Sequence, residues 1–268
     1  MRVYDIVKIR VSEVFLLTYN VFLKENYMNQ ELIRPNGHLG AMTKESEYFA
    51  IGNLLAGVPK GASHSVDALV AWPGIIFDVA VSEAVIEWNC IDHKHLLVAG
   101  YDLEDVAKEH FLIPALVTKY GIRRPGSVYS QILAFHAGHQ AQWVAEMVVK
   151  LNIKSIALFV PNFHLPRAYL TTIEALRRVG QLIPIIPVAP PVSPFRRCVL
   201  NASPGGIRNL TTMDVIHAEV ARMISYSQAK ADGSPGDVAT TQAFMEYLEW
   251  LYQQEIVSNY LLPWRESD

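Results

Sequence analysis

Residues 154–180 read KSIALFVPNFHLPRAYLTTIEALRRVG, and this stretch decides the fold. Its apolar run, 156–160, has the length of a buried strand and is stopped by Pro161-Asn162. Phe163-His164-Leu165-Pro166-Arg167 follows at once. From there Leu165, Ala168, Tyr169, Thr172, Ile173, Leu176 and Val179 recur with helical spacing. Pro166 falls in the first turn, where its missing N–H leaves no bond unmade, and Gly180 suits a C-terminal cap. The segment is therefore a strand, a tight turn and a helix. His164 and Arg167 stand at the turn, where a helix N-terminus favours an anion and where open parallel sheets bind ligands.

The same alternation continues on both sides. Strands are expected near 67–72, 95–99, 128–133, 155–160 and 183–188, with helices over about 78–88, 103–120 and 138–151 between them. Strands alternating with helices imply right-handed βαβ crossovers and a mainly parallel sheet between helical layers, an α/β fold. Before the sheet, 1–30 and 44–55 read as helices, the second capped by Thr43. After it, 211–229 and 240–258 read as helices. The expected organisation is one domain over 1–268: a helical extension at 1–62, an α/β core at 63–195 and a helical cover at 196–268.

Composition narrows the function classes. The 268 residues are 51% hydrophobic, with a net charge of -3 and no Lys/Arg-rich block, which speaks against nucleic acid as a partner. Cys90 and Cys198 form neither a disulfide framework nor a metal spacing and point to a reducing, cytoplasmic setting. Asp5, Lys8, Arg10 and Glu13 interrupt the apolar N-terminus, so neither a signal peptide nor a membrane span is expected.

Phe163-His164-Leu165-Pro166-Arg167-Ala168 resembles the Phe-His-x-Pro-Arg-Ala signature of the SanA/ElyC/YdcF-like family, and the likeness extends over roughly 66–190. The resemblance implies a Rossmann-like three-layer sandwich and a small anionic or nucleotide-like ligand. Some relatives are linked to S-adenosylmethionine binding and others to envelope metabolism; some carry an N-terminal membrane anchor.

The sheet-edge rule gathers four turns into one place. The first keeps only Gly74 of the family's glycine-rich turn. The second offers Gly100 and Asp102, the latter most simply a helix cap. In the third, Gln131 stands where the family has a glutamate, and His136, Ala137, His139 and Gln140 stand where it has Asn, Thr, Glu and Asn. Two acids have become an amide and an imidazole. The fourth turn keeps His164 and Arg167 and adds Asn162.

The expectation is acid–base chemistry by His164 and His139, with Gly74, Gly100, Asp102, Gln131, His136, Gln140, Asn162 and Arg167 around the ligand. Gly100, His136, His139 and His164 should line one pocket. Arg167 would clamp an anion and have no structural motive, since a cation opposes the dipole in a first turn. S-adenosylmethionine or another nucleotide-like molecule is the cofactor class considered. Loss of the acids leaves open a binding or sensory module without turnover. A zinc hydrolase using His136, His139 and His164 is the weaker alternative. His38, His64, His93, His95, His110 and His217 read as surface or turn residues.

Overall fold

The computed structural model describes residues 43–254, apart from 57, 59, 74–76, 101–110, 191, 193–196, 203–205 and 252. The expected helix over 1–30 lies outside these residues. Helix α1, Lys44–Ala56, precedes the sheet. Strands β1 (Ala68–Ala71), β2 (His95–Val98), β3 (Val128–Ser130), β4 (Ile156–Phe159) and β5 (Ile185–Val188) form one sheet in the order β3-β2-β1-β4-β5. Every neighbour pair is parallel. Such strands lie under helices on both faces, which is why ALVA, IALF and IIPV are buried at each position rather than alternating. Pro187 sits in β5, an edge strand, where a residue without an N–H is tolerated.

Helices α2 (Phe77–Cys90) and α3 (Ile113–Tyr120) follow β1 and β2; α4 (Ala137–Leu151) and α5 (Leu165–Arg178) follow β3 and β4. Right-handed crossovers place these two pairs on opposite faces, and α4 packs on α5 as α2 does on α3. The fold is the Rossmann-like three-layer sandwich expected. Gly180 takes the left-handed conformation past α5 with φ 68°.

Helix α5 is covered on its outer side as well, by α1, α6 (Thr212–Tyr226) and α7 (Thr241–Leu251). That cover explains why it is buried almost continuously from Leu165 to Leu176. Thr171 and Thr172 tolerate this burial by donating to the carbonyls of Arg167 and Ala168, one turn back. Tyr247 of α7 ties the cover to the sheet: its hydroxyl accepts from Ile185 N–H at 2.8 Å and donates to Ile183 C=O at 3.0 Å.

Three local expectations are corrected. The segment after the sheet is not only helical: β6 (Arg197–Ala202) and β7 (Gly206–Thr211) form an antiparallel hairpin. Its signal is Pro204-Gly205-Gly206 between two short runs rich in aliphatic residues. Of the helix expected over 103–120, residues 103–110 lie outside the described residues; 111–112 are not part of it, and it begins at Ile113 with Pro114 in its first turn. His93 is buried rather than superficial, with its Nδ1 3.0 Å from the carbonyl of Val66.

Candidate functional site

In a sheet ordered 3-2-1-4-5 the chain reverses its winding between β1 and β4, and ligands bind in the crevice beyond that point. The exit of β4 is built tightly. Pro161 C=O accepts from the N–H groups of His164 and Leu165 at 2.9 and 3.0 Å, which folds 161–165 into the first turn of α5. Asn162 is exposed; its Oδ1 accepts from Phe163 N–H at 2.8 Å. Phe163 turns inward and packs with Val192 and Val215, so that α6 is held against this turn.

That packing brings Glu219 of α6 to His164 and Arg167. Glu219 is 2% exposed and His164 6%. His164 Nδ1 lies 3.0 Å from Glu219 Oε2. Arg167 grips the same carboxylate with both arms of its fork, Nε to Oε2 and Nη2 to Oε1, the latter at 3.1 Å. Arg222, one turn on in α6, donates from Nη1 to Oε1 at 2.6 Å. Three side chains from two helices thus share the one buried carboxylate of Glu219. Burial opposes ionisation of Glu219, but His164 and Arg167 beside it hold its carboxyl far below the usual range. Burial, then the charge of Arg167, pushes the His164 imidazole below its ordinary value. With His164 neutral, two guanidinium groups against one carboxylate leave a surplus positive charge.

Arg167, expected to have no part in holding the fold, is ion-paired to a buried carboxylate. Arg167 has a structural motive, because Glu219 supplies the negative charge that the helix N-terminus also prefers. Glu219 and Arg222 were missed because they lie beyond the segment with a signature. One signal was available: Val215, Glu219 and Met223 recur every four residues, which places an acid in the middle of an apolar helical stripe.

The corner at β2, β3 and α4 is built differently. Gly100 N–H donates to Gln131 Oε1 at 3.0 Å, and Gln131 Nε2 donates to the carbonyl of His139 at 3.3 Å. Gln140 donates from Nε2 to the carbonyl of Gly100 and, at 3.4 Å, to that of Pro73. Both amides are thus engaged by backbone. A Cβ on Gly100 would lie 2.7 Å from the carbonyl oxygen of Gln131, so only glycine fits there. His136 is exposed and its ring lies 4.0 Å from that of half-buried His139. Partial burial of the ring and the neighbouring His139 push the His136 imidazole down.

Gly74 and Asp102 lie outside the described residues. Among those described, no three His, Cys, Asp or Glu side chains come together to hold a metal, so His136, His139 and His164 do not assemble the zinc set. A groove of about 490 Å³ at the β3 edge is lined by Tyr129, Ile132, Trp143, Met147 and Lys150 and includes none of the expected site residues. No helix among the described residues is long and apolar enough to cross a membrane. No family model and no curated protein matches the chain.

Proposed function

We propose that this chain binds a small anionic or nucleotide-like molecule at the carboxyl edge of β1 and β4 and acts on it by acid–base chemistry, with His164 the main group and His139 the second. The observation that carries this is the buried cluster at the switch point: an imidazole beside two guanidinium groups that share one carboxylate. A neutral imidazole can take up a proton near pH 7, and a surplus positive charge draws an anion. S-adenosylmethionine is the ligand to try first, on the strength of the SanA/ElyC/YdcF-like signature. The test is native mass spectrometry of the protein as purified, followed by calorimetric titration with S-adenosylmethionine, ATP and inorganic phosphate. A retained small anion or saturable binding supports the reading; no mass shift and no heat with any of the three sinks it.

A second reading, a binding or sensory module without turnover, is favoured by the Gly100 corner. There Gln131 and Gln140 are occupied by backbone and supply no carboxylate. Binding of an anion that is never chemically altered over a long incubation would select this reading.

A further inference from the structure

The inference rests on His164 being the acid–base group and concerns what sets its working atom. Two groups approach His164 Nδ1: Glu219 Oε2 at 3.0 Å and Arg167 Nη2 at 3.3 Å. They demand opposite tautomers. A carboxylate only accepts, so it requires a proton on Nδ1; a guanidinium only donates, so it requires a lone pair there. Three facts decide between them. The carboxylate is closer. Arg167 already places both Nε and Nη2 on Glu219. Glu219 is itself fixed by α6 and held ionised by Arg167 and Arg222, so it cannot become a donor.

We propose that Glu219 is a positioning residue: it accepts the Nδ1 proton of His164, fixes the ring, and leaves the Nε2 lone pair as the proton acceptor of the site. Both hydrogen bonds described at the His164 ring fall on Nδ1. In the step this serves, Nε2 takes a proton from an O–H of the ligand or of water. The O–H bond breaks, its electron pair stays on oxygen, and the new imidazolium faces the Glu219 carboxylate. The charged groups facing His164 are Arg167 on its own helix and Glu219 and Arg222 on α6. Both guanidinium groups oppose the imidazolium, so the carboxylate is what makes the proton uptake feasible.

The tautomer can be read without any ligand, by long-range nitrogen–proton NMR of the histidine rings, with His164 assigned by its loss in His164→Gln. The expected wild-type pattern at neutral pH is a protonated Nδ1 and a bare Nε2. The opposite neutral tautomer overturns the proposal. In Glu219→Met the acceptor and the negative charge are both gone and Arg167 is free to donate to Nδ1, so the proton is expected to move to Nε2. A folded Glu219→Met protein that keeps it on Nδ1 overturns the proposal as well. If that variant does not fold, the wild-type tautomer alone decides. Titration with inorganic phosphate and S-adenosylmethionine stays a separate measurement. The expected tautomer with no ligand binding would sink the functional reading and leave the Glu219–His164 geometry standing.

Discussion

Two corners of the same sheet edge solve the same problem in opposite ways. At the Gly100 corner, chain ends and turns are closed by two neutral amides, each matching donor to carbonyl or acceptor to N–H. At the His164 corner, the turn is closed by a buried carboxylate shared among a histidine and two arginines. Neutral amides satisfy buried backbone at little electrostatic cost. A buried charge cluster is no efficient way to stabilise a fold, since apolar side chains of similar volume often do as well or better. The difference therefore separates a corner whose polar groups are accounted for by structure from one whose charge points to chemistry.

The largest expected effect is at Glu219. Removing one partner of a buried ion pair leaves the others uncompensated and costs about 3–5 kcal/mol. Glu219→Ala should lose that much in urea unfolding, and Arg167→Ala about 3 kcal/mol. Losses near zero for both would mean that the cluster is bathed in water and that the contrast between the corners is false. Acid should act on the same cluster in two stages. His164 is held below its ordinary value of 6.5, so its neutral form stabilises the fold above that pH and the contribution falls away as pH drops below 6.5. Glu219 is held below its ordinary 4.5, so its contribution is complete above that value and declines only in stronger acid. A stability–pH curve of His164→Gln should show a smaller first stage, the remainder belonging to His136, and keep the second.

At the neutral corner the effects should be smaller. Gln140 is 4% exposed, and Gln140→Ala leaves the carbonyls of Gly100 and Pro73 without this donor. The expected cost is about 1–3 kcal/mol. Gly100→Ala forces backbone apart, because Ala134 N lies 3.1 Å from the added carbon and the Gln131 carbonyl closer still. Its cost should also be about 1–3 kcal/mol. Calorimetric binding of inorganic phosphate should survive Gln140→Ala; loss of binding in a stably folded variant would bring the amides into the ligand site.

The fold is legible chiefly because β1, β2 and β4 are short apolar runs ended by Pro-Gly, Gly and Pro-Asn, with helical periodicity resuming after each. Local pattern suffices for such units. His164 and Arg167 were legible for the same reason, since turn and helix start are contiguous in sequence. Glu219 was not. Its partner is 55 residues away, and no local rule fixes which helix will cover a given turn. The hairpin is not legible in the same way because polar residues such as Arg208 and Asn209 interrupt its apolar runs. The backbone partners of Gln131 and Gln140 are not legible, because sequence shows the side chain but not the distant main chain that meets it.

Arg222 offers the smallest effect on stability and the sharpest test of what the charged corner is for. Its side chain is 42% exposed, against 13% for Arg167, while both donate to Glu219. Solvent screening limits an exposed pair to roughly 0–1 kcal/mol, so Arg222→Ala should unfold within that margin of the parent. Arg167 would still neutralise Glu219. If the surplus charge serves an anion, however, the exposed guanidinium is the one a ligand can reach, and a charge-assisted contact of about 1.5–3 kcal/mol corresponds to about a ten- to hundredfold loss of affinity. Arg222→Ala should therefore be nearly as stable as the parent and bind inorganic phosphate at least tenfold more weakly by calorimetry. A variant as unstable as Arg167→Ala would make the four side chains one structural unit. A stable variant with unchanged phosphate affinity would place the anion elsewhere and leave Arg222 a surface partner of Glu219.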